Sequence, residues 1–162
     1  MIFVTSDHHF NHTNIIKYTK RPFKSVEHMN MELVRRWNNA VDGDDWVIHL
    51  GDFCFNRGNM KHRDWENRLN GKIVFLQGNH DNHKEAPIQS LIFKYGGIDW
   101  WCNHYPEPRY RYNLCGHVHN HDSWKVQRKG RNVIVNCSVD VWDYTPVPIE
   151  MIQEAIRDNG WM

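Results

Sequence analysis

Five short clusters of aspartate, asparagine and histidine recur along the chain, each at the end of an apolar run: Asp7-His8-His9, Gly51-Asp52, Gly78-Asn79-His80-Asp81, Asn103-His104 and Gly116-His117-Val118-His119. Carboxylate oxygens, amide carbonyls and imidazole nitrogens together are a donor set for divalent metals. A packed core has no use for so many, because carboxylates and imidazoles without partners are costly to bury. Two metal ions would satisfy them at once. The 12 histidines in 162 residues point the same way, imidazole being the commonest metal ligand of the side chains.

Spacing sharpens this. Asp7 and His9 are separated by one residue, so in an extended segment both leave from the same side and can close on one ion, with His8 pointing away. His117 and His119 repeat that spacing, and their rings could serve one ion or two neighbours. Asp52 follows Val47-Ile48-His49-Leu50-Gly51 and carries two oxygens that can bridge a metal pair; Gly51 leaves room for the approach. Asn79 offers a neutral carbonyl oxygen, and His104 follows the apolar run Ile98 to Cys102. Any one cluster alone is more often a turn or a satisfied surface pair than a metal site. Five in this order, each after a strand, argue for one composite site, since open α/β sheets place their sites at the carboxyl ends of strands.

The elements that must position these residues follow from the apolar pattern. Ile2 to Val4, Trp46 to Leu50, Ile73 to Leu76, Ile98 to Cys102, Tyr112 to Cys115 and Val133 to Val135 are short, β-branched or aromatic runs and predict strands. From Val26 to Val41 the positions Val26, Met29, Leu33, Trp37 and Ala40 keep a period near 3.6, with Ser25 as N-cap and Asp42-Gly43-Asp44 as the stop. A weaker helix runs from about Met60 to Leu69, stopped by Asn70-Gly71. A last one, Ile149 to Ile156, buries Ile149, Ile152 and Ile156 on one face. Alternation of helix and strand early, and of strands and tight turns such as Lys129-Gly130 later, predicts an α/β layered domain, parallel at first and antiparallel later. No repeat or linker divides residues 1 to 162, which read as one domain.

Composition narrows the function classes. Twenty lysines and arginines against 19 acidic residues give a net charge of +1, no field that would gather polymeric nucleic acid or an anionic membrane. Cys54, Cys102, Cys115 and Cys137 show no C-x-x-C spacing and read as reduced core residues of a cytoplasmic protein. The apolar start, Ile2 to Val4, is too short for a signal-peptide core. No apolar run approaches the roughly 20 residues of a membrane span.

The pattern D-x-H, GD, GNH followed by D or E, a lone H, then GHxH resembles the calcineurin-like metallophosphoesterases, here the small members without a cap domain, and it spans nearly the whole chain. The resemblance implies a four-layer α/β/β/α sandwich of two mixed sheets flanked by helices. It implies that Asp7, His9, Asp52 and His119 hold one ion and Asp52, Asn79, His104 and His117 the other, with Asp52 bridging. It makes His80 the group that stabilises the phosphoryl oxygens or protonates the leaving oxygen, and Asp81 the partner that orients the His80 ring. The second motif lacks the further acidic residue often found in the family, running instead into Phe53-Cys54-Phe55-Asn56, and the fourth reads Asn103-His104 rather than Gly-His.

From this follows an expected function: hydrolysis of a phosphodiester of a small nucleotide or cyclic nucleotide, by attack of a water activated between two divalent ions. Mixed nitrogen and oxygen donors suit manganese first, then iron, zinc or nickel, over magnesium. A nuclease, a phosphomonoesterase and a binding scaffold that kept the fold but lost catalysis are the rivals. Beyond the motifs, Asn11 and His12 could line the mouth of the site, or Asn11 or Thr13 could cap a helix start. The Pro106 to Tyr112 loop, with Arg109 and Arg111, could grip a phosphate or form a solvated turn over packed tyrosines. Arg57 and Lys20-Arg21 read as surface charge, His49 as a strand residue, and the tryptophans as packing.

Overall fold

The computed structural model describes residues 1–55 and 60–162; Arg57 lies outside them. The strands are β1 (Ile2–Thr5), β2 (Trp46–His49), β3 (Lys72–Phe75), β4 (Ser90–Tyr95), β5 (Ile98–Asn103), β6 (Tyr112–Cys115), β7 (Val126–Lys129), β8 (Asn132–Asn136) and β9 (Val147–Pro148). The helices are α1 (Ile15–Tyr18), α2 (Val26–Ala40), α3 (His62–Glu66) and α4 (Ile149–Asp158). They form two mixed sheets flanked by helices. The first has the order β3-β2-β1-β9, the second β4-β5-β6-β8-β7.

In the first sheet β1, β2 and β3 are parallel and β9 closes one edge antiparallel. The second half of the chain is not simply antiparallel, as its tight turns suggested. β5, β6 and β8 run parallel in the centre, and only β4 and β7 pair antiparallel, at the edges. The sequence pattern misses β4, β7 and β9 because β7 is largely polar, β9 is two residues long, and β4 has only its inner face in the core.

Alternation sorts the side chains. Val4, Ile48, Leu114, Val133, Val135, Trp100 and Cys102 point into the layer between the sheets and are buried. Phe3 and Val47, on the opposite face of the first sheet, meet Trp37 and Val41 at the end of α2. That helix forms as its period predicts: Ser25 Oγ accepts from His28 N at 3.2 Å, and Met29, Leu33 and Trp37 are the buried stripe. α3 is shorter than its pattern, with Asp64 accepting from the Lys61 amide at 2.8 Å. α4 runs past Ile156 to Asp158 and sends Ile149, Ile152 and Ile156 into the inter-sheet core. All four cysteines are buried, and among the described residues none forms a disulfide. Among the described residues no helix is long and apolar enough to cross a membrane.

One detail brings the strand ends of both sheets together. Ser6, just past β1, pairs with Ser138, just past β8, as an isolated parallel bridge, and the Val139 amide donates to the Ser6 carbonyl at 3.1 Å. The carboxyl ends of parallel strands in both sheets therefore open on the same side of the molecule.

Candidate metal centre

The clusters after β1, β2, β3, β5 and β6 meet at this shared end. Asp7, His9, Asp52 and His104 are buried at 0%, 2%, 2% and 0% exposure. One donor atom each from Asp7, His9 and His119 lies within 4.8 Å of the others, and so does one each from Asp7, Asp52 and His104. Asp52 Oδ2 sits between the two groups, 3.5 Å from His9 Nε2 and 3.5 Å from His104 Nε2. Asn79 Oδ1 is 3.0 Å from both His104 Nε2 and His117 Nδ1. His117 and His119 are thus divided, His117 toward Asn79 and His104, His119 toward Asp7 and His9.

The local backbone is unusual. Asp7, His9, Asp52, His117 and His119 all have positive φ, from 47° to 69°, a region that asparagine, aspartate and histidine enter more readily than other side-chain-bearing residues. The alternation of Asp7 and His9 into the site is therefore not that of an extended segment. It is made by left-handed residues on either side of His8, whose ring turns back to lie 3.0 Å from His49 Nε2. The motif glycines are positions of close approach: a Cβ on Gly78 would stand 2.2 Å from Asp52 Oδ1, one on Gly116 2.5 Å from Asp7 Oδ2, and one on Gly51 2.8 Å from His104 Nδ1.

Hydrogen bonds decide which nitrogen of each ring is available. His104 Nδ1 is 2.8 Å from the Leu50 carbonyl, which can only accept, so the proton belongs on Nδ1 and the Nε2 lone pair faces Asp52. His119 Nδ1 is 2.9 Å from Asp140 Oδ2 and is protonated for the same reason. Burial, reinforced by the neighbouring His119 and Arg21, pushes His9 well below the usual histidine range, so its ring is neutral. His9 Nε2 makes no hydrogen bond although it is buried. Burial, with Asp7 and Asp81 adding to it against the pull of His104, raises Asp52. For His119 burial works downward, but the Asp140 hydrogen bond and the Asp7 charge outweigh it and the ring is pushed up.

These facts fit divalent cations. Two buried carboxylates share the site, and among the described residues neither accepts a bond from a lysine or arginine side chain. A buried neutral imidazole there has an unused nitrogen. Uncompensated carboxylates cost several kcal/mol each to bury, and a cation among them removes that cost.

The structure also corrects the sequence reading. Asp81 does not orient the His80 ring: its Oδ2 accepts from the amides of Asp52 at 2.6 Å and Gly78 at 2.8 Å, and its Oδ1 from Phe53 at 3.0 Å. It fastens the second and third motif loops to each other. His80 is exposed, donates its own amide to Asp52 Oδ1 at 2.9 Å, and stands edge-on to His9, centroids 5.4 Å apart. His12 lies beside the centre, its Nδ1 3.4 Å from His9 Nδ1 and its ring stacked on Phe55 at 4.6 Å. Asn11 donates its amide to Asn30 Oδ1 at 3.0 Å. Neither Asn11 nor Thr13 caps α1, whose N-cap is Asn14 without a side-chain bond.

Arg109 and Arg111 fall away from the site. Arg111 precedes β6, at the end opposite His117, and donates to the carbonyls of Arg131 and Trp161. Arg109 lies over the Trp101 ring at 5.9 Å, and Tyr110 stacks on that ring at 5.4 Å. The loop is the solvated turn over packed aromatics, held by Asn113 Oδ1, which accepts from the amides of Arg109 and Tyr110 at 2.9 Å each.

Four residues the motifs did not announce complete the centre. Ser6 and Ser138 donate hydroxyls to Asp7 Oδ2, Ser138 at 2.6 Å. Arg21 is not surface charge but 4% exposed, and it pairs with Asp140. Ser6 could have been suspected from its place before Asp7. Nothing in the sequence connects Arg21 with Asp140 or either with His119.

Two mixed sheets whose strand ends converge on nitrogen and oxygen donors define a layered α/β protein with a candidate metal centre. No family model matches the chain. An uncharacterized protein of Methanocaldococcus jannaschii is 39% identical, the match covering 96% of this chain and 91% of that one. A protein of unknown function from Aquifex aeolicus has the same fold, with a TM-score of 0.71 and 25% identity over 96% of this chain and 99% of its own. A phosphoesterase from E. coli aligns with 83% of this chain and 77% of its own at 18% identity and a TM-score of 0.46, a likeness of outline that says nothing of chemistry. The chain belongs to the same family as the archaeal protein.

Proposed function

We propose that this protein hydrolyses a phosphodiester of a small nucleotide or cyclic nucleotide with the help of two divalent transition-metal ions, manganese before iron, zinc or nickel. The observation that carries the reading is the convergence of Asp7, His9, Asp52, Asn79, His104, His117 and His119 from two sheets onto one cleft, with Asp52 Oδ2 equidistant from His9 and His104. One ion would be held by Asp7, His9, Asp52 and His119, the other by Asp52, Asn79, His104 and His117. Ions held there would supply Lewis acidity, neutralising phosphoryl charge and lowering the pKa of a water.

The rest falls to side chains. The cleft, about 560 Å³, is lined by His80, His117 and His119 together with apolar surface from Ile15, Tyr18 and Val118. His80 is exposed at its rim, so its ring can reach the oxygen that leaves and give it a proton, a step worth about 10²–10⁴-fold in rate. His12, its ring centroid 6.1 Å from that of His80, can hold a substrate oxygen beside it. Among the described residues the cleft lining includes no lysine or arginine, which favours a singly charged diester over a dianionic monoester. The net charge of +1 argues against a polymer as substrate.

Chelator-stripped protein reloaded with manganese is expected to release nitrophenol from bis-p-nitrophenyl phosphate faster than from p-nitrophenyl phosphate, and Asp52→Ala to release none. Wild-type protein no faster than Asp52→Ala, though loaded with two ions, would favour the catalytically silent scaffold. A faster monoester rate would move the substrate to that class.

A further inference from the structure

We infer that Arg21 and Asp140 are a positioning pair that makes His119 a metal donor and so builds one of the two ion positions, a role that rests on the metal-dependent reading above. Both side chains are completely buried. Arg21 Nε donates to Asp140 Oδ1 at 2.9 Å and Nη2 to Oδ2 at 3.0 Å, a two-point fork. The same Oδ2 is 2.9 Å from His119 Nδ1. A carboxylate only accepts, so the ring proton is held on Nδ1 and the lone pair is left on Nε2, 3.8 Å from Asp7 Oδ1.

The guanidinium does more than neutralise Asp140. Its Nη2 also donates to the Asp7 carbonyl at 2.7 Å and Nη1 to the His8 carbonyl at 2.8 Å. One residue therefore grips the backbone of the first motif, where Asp7 and His9 are both left-handed, while its partner grips the ring of the fifth. The three donors Asp7, His9 and His119 are indexed to one another through this pair, although Arg21 and Asp140 are 119 residues apart. The other ion position has a different support: His104 leans on the Leu50 carbonyl and His117 on Asn79. A buried ion pair is in general weak evidence for stability. One that also holds a ring nitrogen and two carbonyls beside a metal centre sets geometry.

An amide in place of Asp140 cannot reproduce this. It has one accepting oxygen, whereas the two Arg21 donors and the His119 N–H together need both. Whichever way the amide lies, it turns an N–H toward a donor, and His119 is the partner that can yield, by moving its proton to Nε2 and losing the lone pair a metal needs.

Manganese titrated calorimetrically into metal-free protein, with metal content by mass spectrometry, tests the inference. In Asp140→Asn one ion should bind about 10–100-fold more weakly, the range for residues behind a metal ligand, while the other is unchanged. Arg21→Lys should weaken the same ion. In ¹⁵N-histidine spectra of the metal-free protein, taken at alkaline pH where the His119 ring is neutral, the wild type should carry its proton on Nδ1 and Asp140→Asn on Nε2. Wild-type affinity for both ions in Asp140→Asn, or a wild-type His119 protonated on Nε2, would overturn the pair's role. The wild-type spectrum and Arg21→Lys decide the matter if Asp140→Asn does not fold. Wild-type protein that binds no ion, with His119 still protonated on Nδ1, would count against the metal reading instead.

Discussion

At the scale of single residues, the clearest separation is between groups that hold and groups that turn over. His80 is exposed, with its ring edge-on to His9 and tilted against His12 and Phe55, whereas Asp52 is buried between two imidazoles. His80→Ala is expected to keep its metal content and lose about 10²–10⁴-fold in turnover, by mass spectrometry beside initial rates; loss of metal in that variant would make His80 a ligand instead. The glycines are residue-scale constraints of another kind. Gly78→Ala would set a methyl 2.2 Å from Asp52 Oδ1 and 2.3 Å from its amide nitrogen, and backbone cannot yield as a side chain can. A loss of about 1–3 kcal/mol in denaturant midpoint analysis, together with weakened manganese binding, is expected. An unperturbed Gly78→Ala would show that the second motif can retreat.

At the scale of elements, the unit that matters is the loop after a parallel strand, fastened to its neighbour. Asp81 is the clip between the loops after β2 and β3, accepting from three amides. Removing it leaves three amides that have no other partner among the described residues. Asp81→Ala should therefore cost about 1–3 kcal/mol and lower metal affinity, readable as a fall in thermal midpoint. If stability were untouched and only the pH profile of turnover moved, Asp81 would be acting on His80 after all. The pairing of Ser6 with Ser138 does the corresponding work between sheets, bringing the β8 exit, and Asp140 with it, against the β1 exit. Asp140 stays ionised at about 2 because the bonds from His119 and Arg21 and the Arg21 charge outweigh its burial.

For the molecule as a whole, the donors come from both sheets: Asp7, Asp52 and Asn79 follow strands of the first, His104, His117 and His119 strands of the second. Ions that bind only the folded arrangement stabilise it by mass action, about 2.7 kcal/mol at a hundredfold excess over Kd. Chelation should lower the thermal midpoint and manganese restore it; a midpoint indifferent to chelator would mean that the site is preformed but unloaded. The metal-free molecule should also be acid-sensitive. Burial pushes His8 down to about 3 and His49 well below 6.5. Both are neutral in the fold and protonated once unfolded below 6.5, so their contribution is complete above 6.5 and is lost as pH falls toward 3. Each costs up to about 1.4 kcal/mol per pH unit in that window. Urea midpoints of metal-free protein at pH 7.5 and 5.0 should differ accordingly, and equal midpoints would rule out the buried neutral pair.

The sequence alone determined the motif residues and the strands that carry them, because donor type and apolar periodicity are local properties, legible within a few residues. It also determined the long amphipathic helix Val26–Ala40 with its Ser25 cap and the terminal helix with its three isoleucines. It could not show that Asp7 and His9 reach the site through left-handed backbone, since conformation there is imposed by loops packed against Gly78 and Gly116 from elsewhere in the chain. It left Arg109 and Arg111 open between a phosphate grip and a solvated turn because they follow His104, yet a strand has two ends and the loop returns to the one away from the site. Only the tertiary structure brought Ser138 to Asp7 and joined Arg21, Asp140 and His119, because a contact across more than a hundred residues leaves no periodicity in the sequence and exists only once two sheets have stacked with their strand ends aligned.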